Sequence, residues 1–215
     1  MSEYLPLFID FSCKKVVIFG GGAVGERKAK YFAPAEVVVV SPRFTECLEA
    51  MEKEGLLKLE RRAITVKEVE YLIEDAFLVV AATGDAALNG EIARIAGEAG
   101  ILVNSATGES PVVVPSLFKR GDIMAAISTG GRSPAMARYV RLRLEASLGG
   151  DVEKMVALQE RLRERLKLTV EGQRRREGIL RAVIEDPAVW EALKESEEKA
   201  FDAALEHVPG KKADT

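Results

Sequence analysis

Lys15-Val-Val-Ile-Phe-Gly20-Gly-Gly-Ala-Val-Gly25-Glu-Arg-Lys-Ala29 runs from a β-branched apolar segment through a cluster of glycines straight into a helix-forming stretch. At such a junction each glycine of the Gly20-x-Gly22-x-x-Gly25 spacing has a physical task. The first allows a tight turn, the second clears side chain from where backbone meets a pyrophosphate, and the third lets helix and strand approach closely. The helix start adds N–H donors and the positive end of a dipole. Gly20, Gly22, Ala23, Val24 and Gly25 are therefore candidate contacts to a dinucleotide. The competing reading is a glycine-rich turn that binds nothing.

Working outward, the pattern repeats. Val37–Val40, Leu57–Glu60, Phe77–Ala82 and Ile101–Asn104 are short apolar runs, separated by helical stretches at Phe44–Glu54 and Leu88–Ala99, with a first helix over Gly25–Ala33. Continuously apolar strands between helices predict a parallel sheet covered on both faces. The expected fold class is α/β: a Rossmann-type doubly wound parallel sheet over residues 1–113. A central α+β segment, 114–148, comes next, with strand-like Val112–Val114 at its edge, Asp122–Ile127, and a helix from Pro134 to Leu148. Residues 149–215 carry helical spacing over Val152–Thr169, Glu171–Ile184 and Pro187–Leu205, and form a small all-helical C-terminal domain.

With 47% apolar residues, a chain of 215 can bury a substantial core. A net charge of −3 gives no global attraction to nucleic acid or anionic lipid, and no run of about 18 apolar residues marks a membrane span. Cys13 and Cys47 form neither a disulfide framework nor a metal cluster, so a cytoplasmic protein with no resident metal is expected.

Three further places carry chemistry. Ala81-Ala-Thr83-Gly-Asp85 ends the fourth strand where open α/β sheets place ligands, although Thr83 serves a simple turn almost as well. The second strand ends at Ser41-Pro42-Arg43 instead of at an acid that would hold a ribose hydroxyl; Ser41 offers a hydrogen bond to that hydroxyl and Arg43 a partner for a 2′-phosphate, so NAD and NADP both stay open. Ser128-Thr129-Gly130-Gly131-Arg132-Ser133-Pro134 precedes a helix, with Ser133 placed to cap it and the loop suited to a carboxylate or phosphate. Lys119–Arg143 holds six bases and one acid, and Arg161–Arg181 eight bases and three acids. Surface solvation explains such excesses as readily as a small polyanion, and with Tyr139 as the lone aromatic in these stretches, nucleic-acid stacking is disfavoured.

Taken together, Leu5-Pro-Leu-Phe8, the Gly20–Ala29 block, Ala81-Ala-Thr83, Asn104, Val114-Pro-Ser116, Ser128–Pro134 and Gln173-Arg-Arg-Arg176 resemble the precorrin-2 dehydrogenase and sirohydrochlorin ferrochelatase family, including the amino-terminal module of siroheme synthases. The resemblance covers nearly the whole chain. It implies NAD-dependent oxidation of precorrin-2, a tetrapyrrole polycarboxylate, to sirohydrochlorin, with insertion of ferrous iron as a further step in some members. The alternative is a redox-inactive chelatase or tetrapyrrole carrier. It also implies a homodimer, Ser41, Pro42, Thr83 and Asn104 as further dinucleotide contacts, and Ser128, Thr129, Gly130, Gly131, Arg132, Ser133, Arg138, Arg174 and Arg175 as substrate contacts. Family members commonly carry an Asp three residues after the fifth-strand Asn. Here that position is Thr107, which cannot act as a carboxylate base, and Glu109 is the nearby carboxylate candidate. His207, alone in the tail, reads as a surface residue.

Overall fold

The computed structural model describes residues 4–107 and 110–209. The chain divides after Val114 into two compact units. In the first, five strands lie parallel in the order β3-β2-β1-β4-β5: β1 (Lys15–Phe19), β2 (Glu36–Ser41), β3 (Lys58–Arg61), β4 (Leu78–Ala81) and β5 (Leu102–Ser105). Alternate residues of each strand enter opposite layers. Val16 and Ile18 meet helices α1 (Ala23–Tyr31) and α2 (Glu46–Lys53) through Ala29, Leu48 and Met51. Val17 and Phe19 meet α3 (Val66–Leu72) and α4 (Ala86–Glu98) through Val69, Leu72, Ile92 and Ala96. This is the doubly wound arrangement, with the strand order reversing between β1 and β4.

The second unit opens with an antiparallel hairpin, β6 (Ser116–Arg120) and β7 (Ile123–Ile127), and continues into α5 (Pro134–Ser147). Gly121, in the two-residue turn, takes φ +55, a conformation glycine adopts without Cβ strain. Four helices complete it: α6 (Asp151–Thr169), α7 (Gln173–Glu185), α8 (Pro187–Glu195) and α9 (Glu197–Leu205). Met155, Leu158, Leu162 and Leu166 recur at helical spacing along α6 and form one buried stripe with Ile179, Val183, Val189, Leu193, Ala200 and Ala204. Arg161 lies over the Phe201 ring at 3.9 Å, covering the edge of that core.

Several expected elements shift. Helix α1 begins at Ala23, so the glycine loop is tighter than a helix starting at Gly25 would make it. Val112–Val114 forms no strand; Val112 and Val114 pack their side chains on the first core while the pairing passes to Ser116–Arg120. The single helix expected over Pro187–Leu205 is two, because Ser196 is extended and its hydroxyl accepts the Lys199 N–H to cap α9. Helix α3 has no counterpart in the periodicity reading, since only Val69 and Leu72 of it are buried. His207 is not a lone surface group: its Nε2 lies 2.8 Å from Asp186 Oδ2.

Candidate functional site

The glycine loop is defined by what a side chain would strike. A Cβ at Gly20, where φ is +118, would stand 2.2 Å from the Ala82 carbonyl oxygen; one at Gly25 would stand 1.9 Å from the Gly20 oxygen. Gly21 is equally constrained, at 2.2 Å from the Arg43 oxygen. Strand ends β1, β2 and β4 are thereby drawn onto the first turn of α1, with Gly20 N–H donating to Val40 O and Ala82 N–H to Phe19 O, each at 2.9 Å. Gly22 differs, since a Cβ there would meet nothing within 4 Å.

Gly22 is also the N-cap of α1 and provides no side chain to the helix. The neighbouring helices are capped: Thr45 accepts from Leu48 N–H, and Asp85 from the N–H groups of Ala87 and Leu88. The first-turn donors at Ala23, Val24 and Gly25 thus lack the side-chain acceptor those helices have, beside an open surface at the switch point. That arrangement fits a pyrophosphate. Glu26, in the same turn, is engaged by Lys30 at 2.6 Å, and this pairing first, then Thr45, holds its carboxyl below the usual range.

Around this loop the sequence-derived contacts have distinct local roles. Ser41 is 7% exposed at the end of β2, and its carbonyl accepts from Arg62 N–H; Pro42 and Arg43 are exposed. Thr83 is locked by buried Asn89, whose Oδ1 accepts from the Thr83 N–H at 2.9 Å and whose Nδ2 donates to the Thr83 carbonyl at 3.1 Å. The Thr83 hydroxyl lies 2.8 Å from the same Oδ1. Thr83 is a turn anchor whose peptide packs on Gly20.

Asn104, 5% exposed near the end of β5, donates from Nδ2 to the Val112 carbonyl at 2.7 Å, while its Oδ1 has no partner among the described residues. The chain leaving β5 is closed by hydroxyls. Ser110 Oγ accepts from Ser105 N–H at 3.0 Å, and Ser105 Oγ donates to the Thr107 carbonyl at 2.6 Å. Thr107 is exposed; Glu109 lies outside the described residues.

In the second unit, Gly130 and Gly131 take φ +61 and +79, which accounts for two glycines before the helix cap. Thr129 Oγ1 accepts from Ser133 N–H at 2.9 Å, Ser128 Oγ from Gly130 N–H at 3.1 Å, and Ser133 Oγ from Met136 N–H at 3.2 Å as the cap of α5. Arg132 and Arg138 are exposed near this start. Arg174 and Arg175 are exposed in the first turn of α7, whose N-cap, Gly172 at φ +85, again supplies no side chain. Arg176 instead donates to the Val170 carbonyl at 3.0 Å.

Residues missed in the sequence are Gly21, Asn89 and Ser110. Only Gly21 left a signal, as the middle glycine of an unbroken run of three. Asn89 and Ser110 act through partners six and seven positions away that no local pattern announces.

A family model described as "Putative NAD(P)-binding" matches residues 7–116. The chain is 42% identical to a precorrin-2 dehydrogenase of Methanosarcina barkeri, over 94% of this chain and 92% of that protein. It is 32% identical to a siroheme synthase of Nitrosococcus oceani, over 95% of this chain but 44% of that longer protein. In fold it matches the solved structure of SirC, a precorrin-2 dehydrogenase, with a TM-score of 0.76 at 22% identity, covering 94% of this chain and all of that one.

The geometry sets two measurable outcomes. Gly25→Ala drives a Cβ into backbone and is expected to lower unfolding free energy by about 1–3 kcal/mol, whereas Gly22→Ala leaves it within about 0.5 kcal/mol, both read by denaturant titration. Burial, with Arg27 adding repulsion, pushes the Lys28 ammonium from 10.5 down to about 8. Between those values the folded chain has released a proton that the unfolded chain keeps, so stability gains with rising pH across that window. Lys28→Met is expected to remove this gain; unfolding curves that keep the same pH slope would contradict it.

Proposed function

Because the chain belongs to the precorrin-2 dehydrogenase family, we propose that it oxidises precorrin-2 to sirohydrochlorin with NAD as the electron acceptor. The observation that carries this reading is the uncapped start of α1 at the switch point, held open at Gly22 and closed by backbone contacts at Gly20, Gly21 and Gly25. The oxidation removes one hydride and one proton from the substrate. NAD, when bound, takes the hydride and leaves as NADH; the proton leaves to a base or to water.

The chain's own residues contribute positioning. Gly20, Gly22, Ala23, Val24 and Gly25 bring backbone to the pyrophosphate, with Ser41 and Pro42 beside the adenosine ribose. Thr83, fixed by Asn89, and Asn104, with an acceptor to spare, border the nicotinamide half. Glu109 is our candidate for the proton acceptor; Thr107, lacking a carboxylate, contributes a hydroxyl to the same loop.

The second unit supplies the charge for a polycarboxylate. Three arginines stand at the α7 start, where the helix dipole disfavours cations, so an anion there would relieve both the uncapped N–H groups and the guanidinium repulsion. Arg174 and Arg175, with Arg132, Arg138 and the Ser128–Ser133 loop, are the substrate contacts in this reading.

A homodimer is supported by the hairpin and α5. Every side chain of β7 is apolar, yet none is buried, and Met124, Met136, Tyr139, Leu142 and Leu144 are exposed. A two-stranded ribbon with such a surface is marginal alone. Ferrous iron enters this scheme as a substrate, exchanged for two protons on the nitrogens of sirohydrochlorin, the step that the likeness to siroheme synthases favours. Among the described residues no group of three or more His, Cys, Asp or Glu is placed to hold a metal, and no helix is long and apolar enough to cross a membrane. Two free cysteines suit a reducing compartment, and we assign the protein to the cytoplasm.

Anaerobic absorbance with precorrin-2 and NAD is expected to show sirohydrochlorin and NADH rising in equal amounts. Binding of sirohydrochlorin without turnover would replace the dehydrogenase reading with a chelatase or carrier. Arg174→Glu with Arg175→Glu is expected to raise KM for precorrin-2 about tenfold or more, and an unchanged KM would remove α7 from the substrate site. Sedimentation is expected to give a dimer that Leu142→Asp dissociates; a monomeric parent chain would sink that assignment.

A further inference from the structure

The end of β2 is held unusually close to the glycine loop, and what it carries there is basic. A Cβ on Gly21 would touch the Arg43 carbonyl at 2.2 Å, the Phe44 ring at 2.8 Å and the Ser41 Cβ at 3.0 Å, and Thr45 N–H donates to the Gly21 carbonyl at 3.1 Å. The Ser41–Thr45 backbone is therefore fixed against the phosphate cradle. In a doubly wound sheet the adenosine ribose of a dinucleotide lies at this strand end, where a carboxylate selects the free 2′-hydroxyl and an arginine accommodates a 2′-phosphate.

Three arginines converge on this end of the sheet. Arg61 pairs in register with Ser41 across β2 and β3, and Arg62 N–H donates to the Ser41 carbonyl. Arg61 is held by both oxygens of Glu52, at 3.2 and 2.7 Å, and lies over the Phe44 ring; Arg62 is held by Glu68. Arg43 is different. Its side chain is exposed and has no hydrogen bond or ion pair among the described residues. No acid occupies positions 41 to 45, and the first one after them, Glu46, belongs to the first turn of α2, where a carboxylate complements the helix start.

We propose that this chain accepts NADP as well as NAD, with Arg43 pairing with the 2′-phosphate. The inference rests on the dinucleotide reading of the glycine loop and adds the ligand's second charged group. Arg43 acts on cofactor choice alone: the guanidinium meets a dianion at the adenosine end and takes no part in hydride transfer.

Calorimetric titration of the intact protein with NAD and with NADP tests it without turnover. The parent chain is expected to bind the two within about tenfold of each other, with NADP the more weakened by salt. Arg43→Glu is expected to shift the NADP-to-NAD affinity ratio toward NAD by about tenfold or more, the scale of one lost charge-assisted hydrogen bond, and Arg43→Lys to shift it less. NAD binding with NADP more than about a hundredfold weaker in the parent chain would overturn the proposal while leaving the dinucleotide site intact. So would an affinity ratio indifferent to Arg43→Glu. Binding of neither dinucleotide would overturn both.

Discussion

Backbone pressed against backbone at Gly20 and Gly25 is the constraint on which the first unit depends. The Gly20 carbonyl fills the space a Gly25 side chain would need, and the Ala82 carbonyl fills the space of one at Gly20. These contacts fix the start of α1 against the ends of β1 and β4, and that placement determines where a ligand's charge can be met. The remainder of the sheet holds the same junction in place. Val16, Ile18, Val17 and Phe19 are fully buried between two helical layers, so the strand that delivers the glycines cannot shift register without exposing both faces.

The inner strands were readable because they are short, rich in valine and apolar on both sides; Val37–Val40 leaves no alternative assignment. What escaped reading was decided by tertiary partners. Ser116–Arg120 contains Ser, Lys and Arg and becomes a strand only because Ile123–Ile127 pairs with it, whereas the more strand-like Val112–Val114 is drawn off to cover the core. Ser196 divides the last helical stretch because its hydroxyl caps α9, a choice that composition alone does not reveal. In the candidate site, Gly20, Gly22 and Gly25 could be named from spacing. Asn89 could not, since an Asn inside a helix announces nothing until the strand end it holds is brought beside it.

Charge is distributed as unevenly as shape. In a chain of net charge −3, Arg94, Arg141 and Arg181 are each neutralised along their own helix, by Glu91 and Glu98, by Glu145 and by Glu185. Such exposed pairs add little stability. Arg43, Arg174 and Arg175 have no such partner among the described residues, and all three occur beside turns that a glycine or a proline shapes.

The segment leaving β5 is closed at its neck. Val112 N–H returns to the Val103 carbonyl at 3.1 Å, and Asn104 and Ser110 bind Val112 and Val103 from within. Both ends of the excursion are thus tied to the strand itself, and the sheet's ladder runs up to Ser105, which pairs with Ala81, and to Ala106, whose N–H donates to the Ala81 carbonyl at 2.9 Å. The neck uncouples the exposed Thr107 side chain from the sheet, so a substitution there changes what the surface presents while the strand pairs beneath it keep their register.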